Sequence, residues 1–412
     1  MMNSFLKKIA IVLPTMVIAN VVCLKAQTNP PNLIGQKKLN TITTGVPFLR
    51  ISPDARAGAM GDVGIATESD ANDTHWNIAK MVNNKKKTGA ALTYTPWLRD
   101  LVPDINLAYL SGYTKFGEND NQAVSASLRY FNLGTIAFKS IDATDLGTGY
   151  PRELAFNLGY SRKLSENLSL GVAGRYTNSN LSAGPATLPG TVFKPGNAFS
   201  TDIGVFYTKP MKKDNEDGDR LNFGAAITNL GTKISYNNVR KDFLPTNLGI
   251  GAAYKYKIDE YNSMNFALDM NKLLVPSPQF YKNVNGEDST QYYPTNVSVI
   301  NGLFSSFGDA PGGVAEEFKE IMWSTGVEYA YQNQFFARAG YFYEDYTKGN
   351  RKFATLGLGF KYNVFNLNMA YLVPSGSGIN RNPLSNTLRF TLLFDFDAAK
   401  KKNAADDDKD EE

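Results

Sequence analysis

Apolar and polar residues alternate with a period of two along most of this chain. Between Leu248 and Lys257 one face reads Leu248, Ile250, Ala252, Tyr254 and Tyr256. The other reads Gly249, Gly251, Ala253, Lys255 and Lys257. The same pattern runs through 168–177, 264–271 and 388–396. Successive side chains of a strand point to opposite sides of its sheet, so each segment is a strand with one apolar face. A soluble sandwich would alternate too, but two further features point to a membrane barrel. The polar faces are rich in Gly, Ala, Ser, Thr and Asn, which suits a barrel interior. The apolar faces end in aromatics, among them Tyr176, Tyr254, Tyr256, Tyr362 and Phe396. Aromatic rings are selected at headgroup level.

Fourteen such segments can be drawn, at about 88–96, 103–115, 121–132, 150–163, 167–179, 197–208, 220–230, 246–257, 262–272, 320–332, 335–346, 351–362, 365–373 and 386–396. Most run for about 10 to 13 residues, roughly the span of a tilted transmembrane strand. The connections supply an independent check. In a transmembrane barrel those after even-numbered strands are expected to be short and periplasmic, those after odd-numbered strands longer and external. The even set is mostly tight, as at Asn333-Gln334 and Asn363-Val364. The odd set is mostly long: 133–149, 180–196, 231–245, 273–319 and 374–385. The connection 209–219 is long for its class and 347–350 is short. The fold predicted is all-β: a transmembrane antiparallel barrel of about fourteen strands over 88–397, with both termini periplasmic.

Other stretches do not read as barrel wall. Residues 1–26 have the form of a signal peptide. Lys7 and Lys8 precede an apolar run from Ile9 to Val22, and a small residue, Ala26, stands at the expected cut. A lipoprotein signal ending at Cys23 is the competing reading, but Val22 stands where such a signal wants a small residue. Residues 27–87 are expected to fold into the lumen as a plug carrying a short helix over 70–81. The connection 273–319 is too long to be structureless and offers a helix candidate over 313–322. The tail 398–412, ending Asp406-Asp-Asp-Lys-Asp-Glu-Glu412, is expected to be a solvated, disordered end.

Composition sharpens this picture. The 412 residues hold 12% aromatics and 35 glycines at a mean hydropathy of −0.30. Such a chain interleaves its apolar residues instead of collecting them into the ~20-residue runs of a helical membrane protein. The net charge of +4 falls to +1 once Lys7, Lys8 and Lys25 leave with the signal. No nucleic-acid partner is expected at that balance.

Candidate chemistry is sparse. One cysteine and one histidine, Cys23 and His75, exclude a disulfide scaffold, a Cys/His zinc site and the usual nucleophilic triads. The acidic turn Asp214-Asn-Glu-Asp-Gly-Asp219 lacks the ligand spacing of a calcium loop. No enzyme, metal or cofactor is therefore expected. Aromatics in the expected external segments, Trp97, Phe280, Tyr281, Phe304 and Phe307, are candidate contacts for a partner. Trp97 and Phe307 serve equally well as girdle residues.

At the plug, one stretch carries a resemblance. Gly45-Val-Pro-Phe-Leu-Arg-Ile-Ser-Pro-Asp-Ala-Arg-Ala-Gly-Ala-Met-Gly-Asp62, followed by Asp73-Thr-His-Trp-Asn-Ile-Ala79, resembles the opening of the PorV family. These are outer-membrane components of the Bacteroidetes type IX secretion system, in the FadL-like group of fourteen-stranded barrels. The likeness extends over roughly 40–397. Many relatives read Trp-Asn-Pro-Ala where this chain has Trp76-Asn-Ile-Ala79. The resemblance implies a non-enzymatic role. Cargo bearing a C-terminal sorting domain would be collected at the type IX translocon barrel. It would then be passed to a sortase-like protein of the surface attachment complex. Outer-membrane lipid is the remaining expected partner. The alternative is uptake of hydrophobic small molecules through the bore, as in FadL-like transporters, which would need a lumen lined by apolar side chains. The largely small and polar inward faces favour the first reading.

Overall fold

The structure, a computed structural model, describes residues 39–396 apart from 98–103, 140–141, 182–193, 212–217, 238–239, 283–287 and 374–386. The expected signal segment with Cys23, the charged tail and most of the acidic turn at 214–219 lie outside the described residues.

Fourteen antiparallel strands close into a barrel. In chain order they are β1 (Thr88–Pro96), β2 (Asn106–Phe116), β3 (Gln122–Asn132), β6 (Arg152–Lys163), β7 (Leu168–Asn180), β8 (Gly196–Pro210), β9 (Arg220–Gly231), β10 (Asn247–Lys257), β11 (Asn262–Leu273), β14 (Ile321–Tyr331), β15 (Phe335–Tyr343), β16 (Lys352–Tyr362), β17 (Phe365–Leu372) and β18 (Leu388–Phe396). Each pairs with its neighbours in sequence, and β1 pairs with β18. Their boundaries fall within three residues of those expected from the alternation. Closure satisfies every ladder and leaves no edge, which is what a hydrocarbon environment demands. The outward residues are those of the apolar faces: Leu158, Val172, Ile203, Phe266 and Leu358 are all exposed.

Two hairpins were not foreseen, β4 (Ile136–Lys139) with β5 (Asp145–Gly149) and β12 (Gln279–Lys282) with β13 (Asp288–Tyr292). Both decorate long connections. So does a helix at Val299–Ser305, capped by the Ser298 hydroxyl. The helix expected over 70–81 is instead two short pieces, Asp73–Trp76 and a 3-10 turn at Ile78–Asn83. Asn77 stands extended between them. Its side chain accepts from Ala79 N and donates to Ile65 O and Val205 O, an alternative to helical bonding. The helix expected over 313–322 is only Val314–Glu317 followed by a 3-10 turn at Phe318–Glu320, because β14 begins at Ile321.

Residues 39–87 run down the bore. Asn40 bonds to Thr347, Glu316 and Gln291, all in connections at the long-loop end of the barrel. Asn84 meets Lys115 at the opposite, short-turn end, beside the start of β1. Phe396, paired with Thr88, lies at that same short-turn end. The two ends of the described chain therefore sit at opposite mouths. Residues 39–87 therefore thread the bore from the long-loop mouth to the short-turn mouth. Small residues let the plug press on the wall: a Cβ on Gly340 or Gly326 would strike the Met60 backbone, and one on Gly357 would strike Ala59.

Candidate functional site

The interior is built from charge pairs between plug and wall. Asp54 caps the short helix Ala55–Gly58 and accepts from Trp76 Nε1 at 2.7 Å. That helix aims Arg56 at Glu328 of β14, with Nε to Oε2 at 3.1 Å and a second bond at 3.0 Å. Arg338 of β15 donates to the same carboxylate at 2.6 Å. Two guanidinium groups thus share one buried acid in a planar, two-pronged geometry. Asp269 of β11 accepts from Gly64 N and Ile65 N, at 2.7 and 2.9 Å. Arg389 of β18 reaches Asp62 at 2.8 Å, and Arg129 of β3 holds Phe48 O, Leu49 O and His75 Nδ1. Lys80, wholly buried, pairs with Asp73 and with Gly64 O inside the plug itself. His75 is thereby a packed partner of Arg129 and Trp76.

What remains of the bore is small and lined by charged and apolar side chains together. A cavity of about 100 Å³ lies between plug and wall, lined by Arg50, Asp62, His75, Arg175, Asn229 and Arg351 among others. A cup of about 270 Å³ at the long-loop mouth is bordered by Pro47, Trp97, Glu344 and Lys348. Neither suits an apolar solute, which would have to displace charged side chains from their partners. Among the described residues no group of His, Cys, Asp and Glu has a metal-holding arrangement, and no helix is long and apolar enough to cross a membrane.

The long connection between β11 and β14 folds over this mouth. Lys348 bonds Glu316 and Glu320, at 2.6 and 2.8 Å, and Lys272 bonds Glu317 and Glu320. Asn40 at the head of the plug completes the clasp on Glu316 at 2.8 Å. Partial burial works to raise the Glu316 carboxyl, but bonds from Lys348 and Asn40 outweigh it and hold the group below its ordinary range.

The five residues singled out from sequence fall into two kinds. Trp97 is half-buried against the apolar cluster that includes Phe48 and Leu49, at the mouth of the bore, and Phe280 is half-buried in β12. Tyr281 is exposed and stacks on Tyr292 across its hairpin, with centroids 4.4 Å apart. Phe304 and Phe307 are 70% and 52% exposed. Ile300, Val314 and Phe318 in the same connection are exposed as well and were missed. Ile300 and Phe304 stand four apart on one helix, a spacing that could have drawn them together from sequence.

Comparison with known proteins gives three results. The family described as "Type IX secretion system protein PorV" matches residues 34–280, more than half of the chain. Among curated proteins none matches. Solved structures of similar shape include the Pseudomonas putida toluene transporter TodX, with 12% identity over 84% of this chain and 99% of that one, at a TM-score of 0.48. The Ralstonia pickettii toluene transporter TbuX shares 11% identity over 83% and 97%, at 0.46. A Pseudomonas aeruginosa FadL homologue shares 13% over 87% and 100%, at 0.43.

Proposed function

Because this chain belongs to the family of the type IX secretion system protein PorV, we propose that it receives secreted cargo by the cargo's C-terminal sorting domain at the translocon barrel and delivers it to a sortase-like protein of the surface attachment complex. The chain is an integral outer-membrane β-barrel, and its family and fold are those of a secretion or transport barrel and not of an enzyme class. The observation that carries the proposal is the closed bore. Arg56, Asp62 and the Gly64–Ile65 amides anchor the plug to Glu328, Arg389 and Asp269 on the wall. The cavity left beside them is about 100 Å³ and charged. Uptake of a hydrophobic small molecule needs an apolar passage, so the bore favours a protein-docking role over that alternative.

In this reading the long connections face outward and present the docking surface. Its aromatics are Trp97, Phe280, Tyr281, Phe304 and Phe307, with Ile300, Val314 and Phe318 beside them in sequence. Exposed aromatics such as Tyr281, Phe304 and Phe307 are over-represented at the centre of protein interfaces. The test is a deletion strain complemented with wild type or with Phe304→Glu/Phe307→Glu. Expected are loss of surface-attached cargo in the deletion and a several-fold reduction in the double variant at equal barrel abundance. Normal cargo display in the deletion, with failed uptake of hydrocarbons or fatty acids, would overturn the proposal in favour of transport.

A further inference from the structure

We propose that a notch in the bilayer-facing wall, beneath the loop helix Val299–Ser305, binds an acyl chain of a membrane lipid from the leaflet on the long-loop side. The notch is centred on Gly174 of β7, an outward position. Across the ladder Gly174 pairs with Leu158 on one side and Thr201 on the other, and Thr201 pairs in turn with Leu230. No heavy atom stands within 4 Å of where a Gly174 Cβ would be. A small floor is thus flanked by larger apolar walls. The resulting recess is an open-faced groove of about 810 Å³ with Val299 and Ile300 in its lining, wide enough to seat a chain lying along the wall.

Its height in the bilayer is set by the next row of residues. One step toward the long-loop end come Phe156, Tyr176 and Phe199, paired in that order. The Tyr176 and Phe199 rings lie 5.2 Å apart. The Tyr176 hydroxyl donates to Asn197 Oδ1 at 2.7 Å, and Asn178 donates to the same oxygen. Rings with their polar atoms turned outward mark the membrane interface, so the notch lies just on its hydrocarbon side.

The wall behind the notch is fixed. The β8–β9 register shifts between Thr201 and Ile203, and Asn229 takes a positive φ of 60°. Asp202 accepts from Asn229 N at 2.7 Å and pairs with Arg175. Arg175, behind the floor, is buried and committed to Asp202, Asn157 and Asn229. The Thr232 hydroxyl is spent on the backbone of Phe199. Phe199 and Leu158, by contrast, are 63% and 58% exposed. An apolar recess continuous with the lipid-facing wall, with no uncommitted charge among its described lining, selects a hydrocarbon chain and not a headgroup or a polar peptide.

The test uses the full-length protein in detergent, incubated in separate arms with palmitoyl-oleoyl phosphatidylethanolamine and with lipid A, then examined by native mass spectrometry. Gly174→Trp fills the notch in open space. Leu358→Trp is the control, outward on β16, seven strands away around the ring. Wild type and Leu358→Trp should retain a lipid adduct in one arm or both, and the arms say which lipid supplies the chain. Gly174→Trp should lose at least tenfold in occupancy. Equal retention in Gly174→Trp and wild type overturns the proposal, as does equal loss in the two variants. A Gly174→Trp protein that keeps its lipid but loses a co-purifying protein would make the notch a protein contact. Should Gly174→Trp fail to show heat-modifiable migration, Thr201→Phe is judged by the same outcomes. The proposal needs only the barrel in its membrane, so it stands or falls separately from the role in cargo delivery.

Discussion

Glu328 joins plug to wall at one point, where Arg56 of the plug and Arg338 of β15 both bond to it. Glu328→Ala would strip the buried Arg338 of its carboxylate and leave Arg56 with Asp70 alone, a loss of about 3–5 kcal/mol. The expected outcome is conversion of the folded to the unfolded gel band at a markedly lower temperature. Replacing all three residues with Met and Leu should recover most of that loss, because the expense lies in the unpaired charge. Gly61 sits at φ 71° with the Tyr341 backbone 2.6 Å from where a Cβ would stand. Gly61→Val should loosen the plug by about 1–3 kcal/mol, detectable as faster proteolysis within 39–87. Alternation within 168–177 and 388–396 already placed Arg175 and Arg389 on polar, inward faces. The pairings of plug with wall were not legible, because Arg56 and Glu328 are 272 positions apart and no local rule joins them.

Strands were the most legible elements, because a wall with lipid on one side and a polar bore on the other enforces period two. Segments answering to neither solvent carried no such signature. The hairpins β4–β5 and β12–β13 and the helix Val299–Ser305 went unforeseen for that reason. The plug's short helices obey packing against the wall and side-chain bonds such as those of Asn77, which erase helical periodicity. Removing residues 40–84 should empty the bore: wild type is expected to be electrically silent in a planar bilayer, and the deletion variant to conduct. Silence in both would mean that another element closes the barrel. The clasp of Lys272 and Lys348 on Glu316, Glu317 and Glu320 gives a pH dependence. Because the folded Glu316 carboxyl lies below its ordinary value of 4.5, its contribution is complete above that value. It fades as the pH drops through the lower folded value. Protection factors in 288–320, with the intrinsic pH dependence of exchange divided out, should accordingly fall under acid and be unchanged between pH 6 and 8.

At the scale of the whole molecule, the described chain begins at one mouth and ends at the other. An epitope inserted between Leu39 and Asn40 should be reachable by antibody on intact cells if the long connections face outward. One placed after Phe396 should be reachable only after the envelope is opened. Equal labelling of both on intact cells would contradict this threading of the plug. The overall architecture was legible because strand parity and loop length agree independently. The direction of the plug was not, since neither of its ends carries a signal of which mouth it occupies.

That threading also orders events in time. A bore already filled by charge-paired side chains has no room to admit some fifty residues afterwards, so the wall must wrap around the segment as it forms. The seam between β1 and β18, seven rungs from Thr88–Phe396 to Tyr94–Phe390, is then the last to zip. The final strand acts as a latch. A chain stalled before β18 is synthesised would remain an open sheet with its future core still reachable from the side.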